Sequence, residues 1–267
     1  MNVPFEGRRL AFWTAGSGIP TILIHGSLAT SSTWRRAAAN LDGAGLQLIA
    51  PDLPGWGESE AEPENCPDLI EYETRAIEAL AQEQREPVVL VAHSYGCIVA
   101  LLAVLRGRIA LRSLVLFEPT LVALLRQTGD RGAYDEMERF VADYRRAFAA
   151  GDKYAARGVI DLWGGAGSFE AMPEAARNAI AAWVPRNLRH WQPAFERRSM
   201  FEQLDSIKVP TTLVQSERAH PTARLIVRRM HERIAGSRVV EIAGANHFLI
   251  LTHPADTARV IRESLST

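Results

Sequence analysis

Seven short runs in this chain consist almost wholly of residues that favour β-structure: RLAFWTA, TILIHG, LQLIAPD, PVVLVAHS, LRSLVLFEP, PTTLVQS and RVVEIAG. Several, such as VVLVA and LVLF, are apolar at every position instead of alternating with polar residues. A strand of that kind is buried on both faces, which occurs chiefly in a parallel sheet covered by helices on each side. Text with helical periodicity lies between the runs, at about 31–41, 68–86, 95–106, 221–235 and 254–265. This alternation predicts the α/β class, with a doubly wound, mostly parallel sheet. A chain of 267 residues, 47% of them hydrophobic, is long enough for one such domain with an insertion and for a large core.

One stretch interrupts the alternation. From 120 to 205 the text is helical and carries three of the six tryptophans, Trp163, Trp183 and Trp191. It greatly exceeds an ordinary crossover, and insertions of such length usually serve function. The expected organisation is a core of residues 1–119 and 206–267 with a helical cap at 120–205.

The charge balance, 30 Lys and Arg against 31 Asp and Glu, provides no electrostatic footprint for nucleic acid or an acidic membrane. Cys66 and Cys97 are too few and too isolated for a disulfide framework or a metal site. The N-terminus, MNVPFEGRRLAFW, has no basic-then-apolar leader pattern, and no apolar run reaches spanning length. The default is a cytoplasmic protein, monomer or homodimer, acting on a small molecule.

Ala92-His93-Ser94-Tyr95-Gly96 follows the run PVVLVA and precedes the helical CIVALLAVLR. A serine in a strand–turn–helix bend between small residues suits a nucleophile, because the sharp turn exposes its Oγ and the helix start favours negative charge. The plainer reading is a serine that caps a helix. ILIHGS at 22–27 is another strand that ends in a turn, and there His25 reads as structural.

HGS near residue 26, DLPGWGES at 52–59, AHSYG at 92–96 and ANHF at 245–248 occur in an order and spacing that resemble the α/β-hydrolase superfamily, over about residues 8–265. The resemblance implies a nucleophile at Ser94 and an oxyanion hole made by the backbone N–H groups of Ser27 and Tyr95. It implies a base at His247, on the last loop, with His220 as its one serious rival. His253 reads as a helix-start residue, and His190 and His231 as surface residues.

The acid departs from the common pattern. The loop after TTLVQ reads SERAHPTA and has no aspartate, only Glu217 directly after the strand. Glu118, in SLVLFEPTL, ends a buried strand just before the cap, and an acid there is costly to bury unless paired. Its placement resembles that of zearalenone-type lactonases, which carry the acid at this strand. Glu118 is therefore the preferred acid and Glu217 the alternative.

The expectation is a serine hydrolase acting on a small apolar ester or lactone, with no cofactor. Serine in place of aspartate argues against dehalogenase or epoxide hydrolase chemistry. Trp163, Trp183, Trp191 and Phe169 are candidates for an apolar substrate pocket, or for packing of the cap. Open alternatives are C–C bond hydrolysis or cofactor-free perhydrolysis at the same triad, a hydroxynitrile-lyase-type reaction, and a non-catalytic ligand receptor on the same fold.

Overall fold

The computed structural model describes residues 1–196, 200 and 202–265. Eight strands form one sheet: β1 (Asn2–Phe5), β2 (Arg8–Ala15), β3 (Ile19–Ile24), β4 (Leu46–Pro51), β5 (Val88–His93), β6 (Leu111–Phe117), β7 (Thr211–Ser216) and β8 (Arg238–Ile242). Their spatial order is β1-β2-β4-β3-β5-β6-β7-β8. β1–β2 and β2–β4 pair antiparallel, and every later pair is parallel. The seven apolar runs are the strands β2 to β8. β1 lies outside them: NVPF is short and contains a proline, and it becomes a strand through its pairing with β2 at the sheet edge.

Each central strand feeds two cores. In β5, Leu90 and Ala92 point into one cluster, and Val89 and Val91 into the other. In β6 the same division separates Leu114 and Leu116 from Val115 and Phe117. This two-sided burial is why these strands have no polar alternation. One face is covered by α1 (Arg35–Ala39) and the C-terminal helix Pro254–Glu263, through Ala37, Ala258 and Ile261. The other face is covered by α2 (Leu69–Gln82), α3 (Gly96–Arg106) and the helix Pro221–Arg233, through Ile77, Ile98 and Ile226. Asp68 starts α2 by accepting from the Glu71 N–H.

Between β6 and β7 the described residues contain no strand. They form α4 (Val122–Gln127), α5 (Arg131–Ala149), α6 (Arg157–Gly164) and α7 (Glu174–Glu196), then a short 3-10 turn at Leu204–Ser206. This helical stretch joins the cluster of the α2/α3 face through Val141, Ile180 and Val184. It also touches loops at the carboxyl ends of the strands. Arg186 donates to the Pro54 carbonyl at 2.9 Å, Trp183 packs edge-on against Trp56 at 5.4 Å, and Asn246 donates to the Gly164 carbonyl at 2.7 Å. The helices therefore stand over the edge of the sheet where open α/β folds place their clefts.

Candidate active site

Ser94 follows the last residue of β5, with φ at 54°, a left-handed backbone that a non-glycine residue adopts at a cost. The Ser94 N–H donates to the Phe117 carbonyl at 2.9 Å, and α3 begins two residues later, at Gly96. The close approach of strand and helix explains the glycine: a Cβ there would lie 2.5 Å from the His25 carbonyl oxygen. Gly26 is similarly confined, since a Cβ on it would lie 3.0 Å from Cβ of Ser94.

His247 sits in the loop after β8 and is buried. Its Nε2 lies 3.0 Å from Ser94 Oγ, and its Nδ1 lies 3.2 Å from Glu118 Oε2. Glu118 is fully buried directly after β6 and also holds a left-handed backbone, at φ 50°. The Ser216 N–H donates to Glu118 Oε1 at 2.6 Å. A carboxylate, an imidazole and a serine hydroxyl thus form one hydrogen-bonded line at the carboxyl ends of β5, β6 and β8. Glu217 stands apart from it: its side chain is exposed and accepts from the Gly244 N–H at 2.6 Å. His220 is occupied at the start of the helix Pro221–Arg233, where its Nδ1 accepts from the Thr222 N–H at 3.2 Å.

Several contacts fix the His247 loop. His93 Nε2 donates to the His247 carbonyl at 2.8 Å, and the two rings lie 4.8 Å apart. Burial, with His247 close by, depresses the His93 pKa to about 3, so this ring stays neutral. Ser216 Oγ donates to the Asn246 carbonyl at 2.8 Å, and Trp163 stacks on His247 with centroids 5.0 Å apart. His25 is structural. Its Nε2 accepts from the Leu53 N–H at 2.9 Å, its Nδ1 meets the Gly26 carbonyl at 2.7 Å, and burial lowers its pKa. Asp52 likewise accepts from the N–H groups of Ser31 and Glu58. The Cys97 thiol is buried, which raises its pKa well above the ordinary value and keeps it protonated.

Ser94 and His247 open into a cavity that Ser27 and Tyr95 also line. Tyr95 precedes the first turn of α3, so its backbone N–H lies at the positive end of that helix. Trp163 and Trp191 line the cavity together with Val159, Ile160 and Ile180. Two of the expected pocket aromatics lie elsewhere. Trp183 faces the Asp52–Ser59 loop and packs on Trp56, and Phe169 is sealed inside the helical stretch against Tyr154.

His190 is not on the surface. It is 2% exposed and stacks flat on the Tyr95 ring, 3.7 Å between centroids. Asn187, His190, Trp191 and Ala194 all line the cavity and are spaced i, i+3, i+4, i+7. That spacing marks one face of a helix, a signal present in the sequence that points His190 inward with Trp191.

A profile of the Alpha/beta hydrolase family matches residues 21–260. A haloalkane dehalogenase of Sphingobium indicum is 33% identical over 100 residues, 36% of this chain, and the match spans about a third of that relative's length. The solved structure of a thermophilic esterase from Thermogutta terrifontis superposes with a TM-score of 0.77 at 22% identity, covering 99% of this chain and 96% of that one. Est816, an N-acyl homoserine lactone degrading enzyme, superposes at 0.78 with 18% identity, over 98% and 99% of the two chains. At such identities the structural likeness speaks to the fold. The family profile, which runs from β3 to the last helix, carries the assignment: this chain belongs to the Alpha/beta hydrolase family.

Proposed function

We propose that the protein is a serine hydrolase that cleaves a small apolar ester or lactone through an acyl-enzyme. The observation that carries this reading is the continuous line from Glu118 through His247 to Ser94 at the floor of a largely apolar cavity. Ser94 Oγ attacks the carbonyl carbon while His247 Nε2 takes its proton. The Nδ1–H of the imidazolium faces the Glu118 carboxylate, which holds the tautomer and stabilises the positive charge. The oxyanion receives the backbone N–H groups of Ser27 and Tyr95. The imidazolium then returns the proton to the leaving oxygen, and water, activated by the same histidine, releases the acid. Glu118 serves as the acid because it has the contact with His247 that Glu217 lacks.

In this reading residues 120–205 act as a cap on the core of 1–119 and 206–267, and Trp163 and Trp191 bind the apolar part of the substrate. An esterase and a lactone-degrading enzyme share this fold, so the fold accommodates this choice of bond. A serine at the bend separates the chain from the aspartate-dependent chemistry expected of a dehalogenase. The test is hydrolysis of short p-nitrophenyl esters. Turnover by the wild type that falls to background in Ser94→Ala is the expected result. Turnover that persists in Ser94→Ala would overturn the reading.

A further inference from the structure

A second buried polar chain lies in the wall of the same cavity. Glu73, on α2, is fully buried. Its Oε2 accepts from the Tyr95 hydroxyl at 2.6 Å, and its Oε1 lies 3.0 Å from His190 Nε2. His190 Nδ1 lies 2.9 Å from Ser27 Oγ, and Asn187 Nδ2 lies 2.7 Å from the same oxygen. Each hydrogen follows from the one before it. A carboxylate only accepts, so in the neutral imidazole His190 Nε2 carries the ring hydrogen and Nδ1 accepts. Ser27 must then donate its single hydrogen to Nδ1, and the bond from Asn187 must come from its NH₂ group. This fixes the orientation of the Asn187 amide and leaves the chain ending in an acceptor. Asn187 Oδ1 is buried without a hydrogen-bond partner, on a residue 3% exposed that lines the cavity. Ser27 Oγ, on a half-buried residue of the same wall, keeps a spare lone pair. An unmet buried acceptor costs about 1–3 kcal/mol; Asn187 Oδ1 has no open surface of its own, so a small turn of the Asn187 side chain has to bring it to a ligand donor that removes that cost.

The location is close to the chemistry. Ser27 follows Gly26, which abuts Ser94. Val159, Ile160, Trp163 and Ile180 give the same cavity an apolar lining. We propose that Ser27 Oγ and Asn187 Oδ1 form a polar subsite that binds a hydroxyl or amide N–H carried by the substrate beside the carbonyl that Ser94 attacks. The preferred substrates are therefore α-hydroxy or α-acylamino esters and lactones. Glu73, His190 and Tyr95 act as positioning residues that set the direction of every hydrogen bond behind the two acceptors. This inference rests on the ester-or-lactone reading.

Four ethyl hexanoates test it: unsubstituted, α-hydroxy, α-acetamido and α-methoxy. Binding is read by tryptophan fluorescence in Ser94→Ala, so that no turnover is needed. The α-hydroxy or the α-acetamido ester should bind at least about tenfold more tightly than the α-methoxy and unsubstituted ones. Which of the two is favoured identifies the donor. Adding Asn187→Leu, or separately Ser27→Ala, should bring the ratio to within about threefold of one. The ratio is internal to each variant, so general loss of folded protein does not move it. Equal binding of all four esters, or a preference that survives in both variants, overturns the subsite. Turnover by the protein with Ser94 intact separates the two proposals. Hydrolysis without a binding preference removes the subsite and leaves the ester reading. A binding preference without hydrolysis removes the ester reading and leaves only a site for a ligand donor, with no role in a substrate of Ser94.

Discussion

Two carboxylate–imidazole–hydroxyl chains face one cavity, and they are wired in opposite senses. In the first, Glu118 meets His247 at Nδ1 and Ser94 meets it at Nε2. In the second, Glu73 meets His190 at Nε2 and Ser27 meets it at Nδ1. Residue types do not separate these chains, but their settings do. Ser94 sits on a strained backbone at a helix start, with His247 on a loop beside it. Ser27 already receives a bond from Asn187, and its histidine lies on a helix pressed against Tyr95. The first arrangement is suited to lose a proton to an incoming reaction. The second is suited to hold a fixed pattern of donors and acceptors. A search for acid–histidine–serine contacts alone would return both.

This contrast can be broken by substitution. Ser94→Ala should lose the most, about 10⁴-fold or more in kcat/KM. Ser27→Ala keeps its backbone N–H and should lose far less on an unsubstituted ester; equal losses would erase the distinction. Next in size is Glu118→Gln, which leaves His247 without a negative partner and should lower kcat by about 10³-fold. Glu217→Gln should stay near wild type, and the reverse ranking would move the acid to Glu217. Glu73→Gln should act mainly on stability. It replaces a buried acceptor of two hydrogen bonds and should cost about 1–3 kcal/mol in denaturant unfolding, with a rate loss far below that of Glu118→Gln. A rate loss matching that of Glu118→Gln would mean that both chains serve the chemistry.

The last effect leaves the rate aside and is read through pH. His93 has a folded pKa of about 3, against an ordinary value of 6.5, because burial disfavours its charge, and burial lowers that of His25 in the same direction. Between those values the unfolded chain binds more protons than the folded one, so stability falls as pH drops from about 6.5 towards 3. His93→Gln should flatten that slope in unfolding titrations. An unchanged slope would assign it to His25 or to other groups.

The sheet was readable from the runs themselves, since strands buried on both faces must be apolar throughout. β1 was not, because it depends on its neighbour. The elbow and the HG turn were legible as local patterns, and Glu118 was legible as an acid at the end of an apolar strand. The role of Ser216 was not: its N–H and Oγ serve Glu118 and the Asn246 carbonyl, contacts between segments far apart in sequence. The aromatic content of residues 120–205 suggested a pocket but not which rings face it. Trp183 turned to the Trp56 loop, and facing is set by tertiary contact. His190 was misread because a histidine in helical text was taken alone instead of with Asn187, Trp191 and Ala194.

The hydrogen bond from the Ser94 N–H to the Phe117 carbonyl continues the β5–β6 ladder, so Ser94 and Glu118 are borne by two paired central strands. His247 is not: its loop follows β8, the strand at the margin of the sheet. Heat or denaturant therefore reaches the three groups unequally. Opening of the 243–253 segment, which has to break the contacts that fix the His247 loop, is expected to disconnect the histidine while the central strands still protect their amides from exchange. Loss of turnover should precede loss of the sheet signal on warming and reverse quickly on cooling, so that the enzyme switches off before it comes apart.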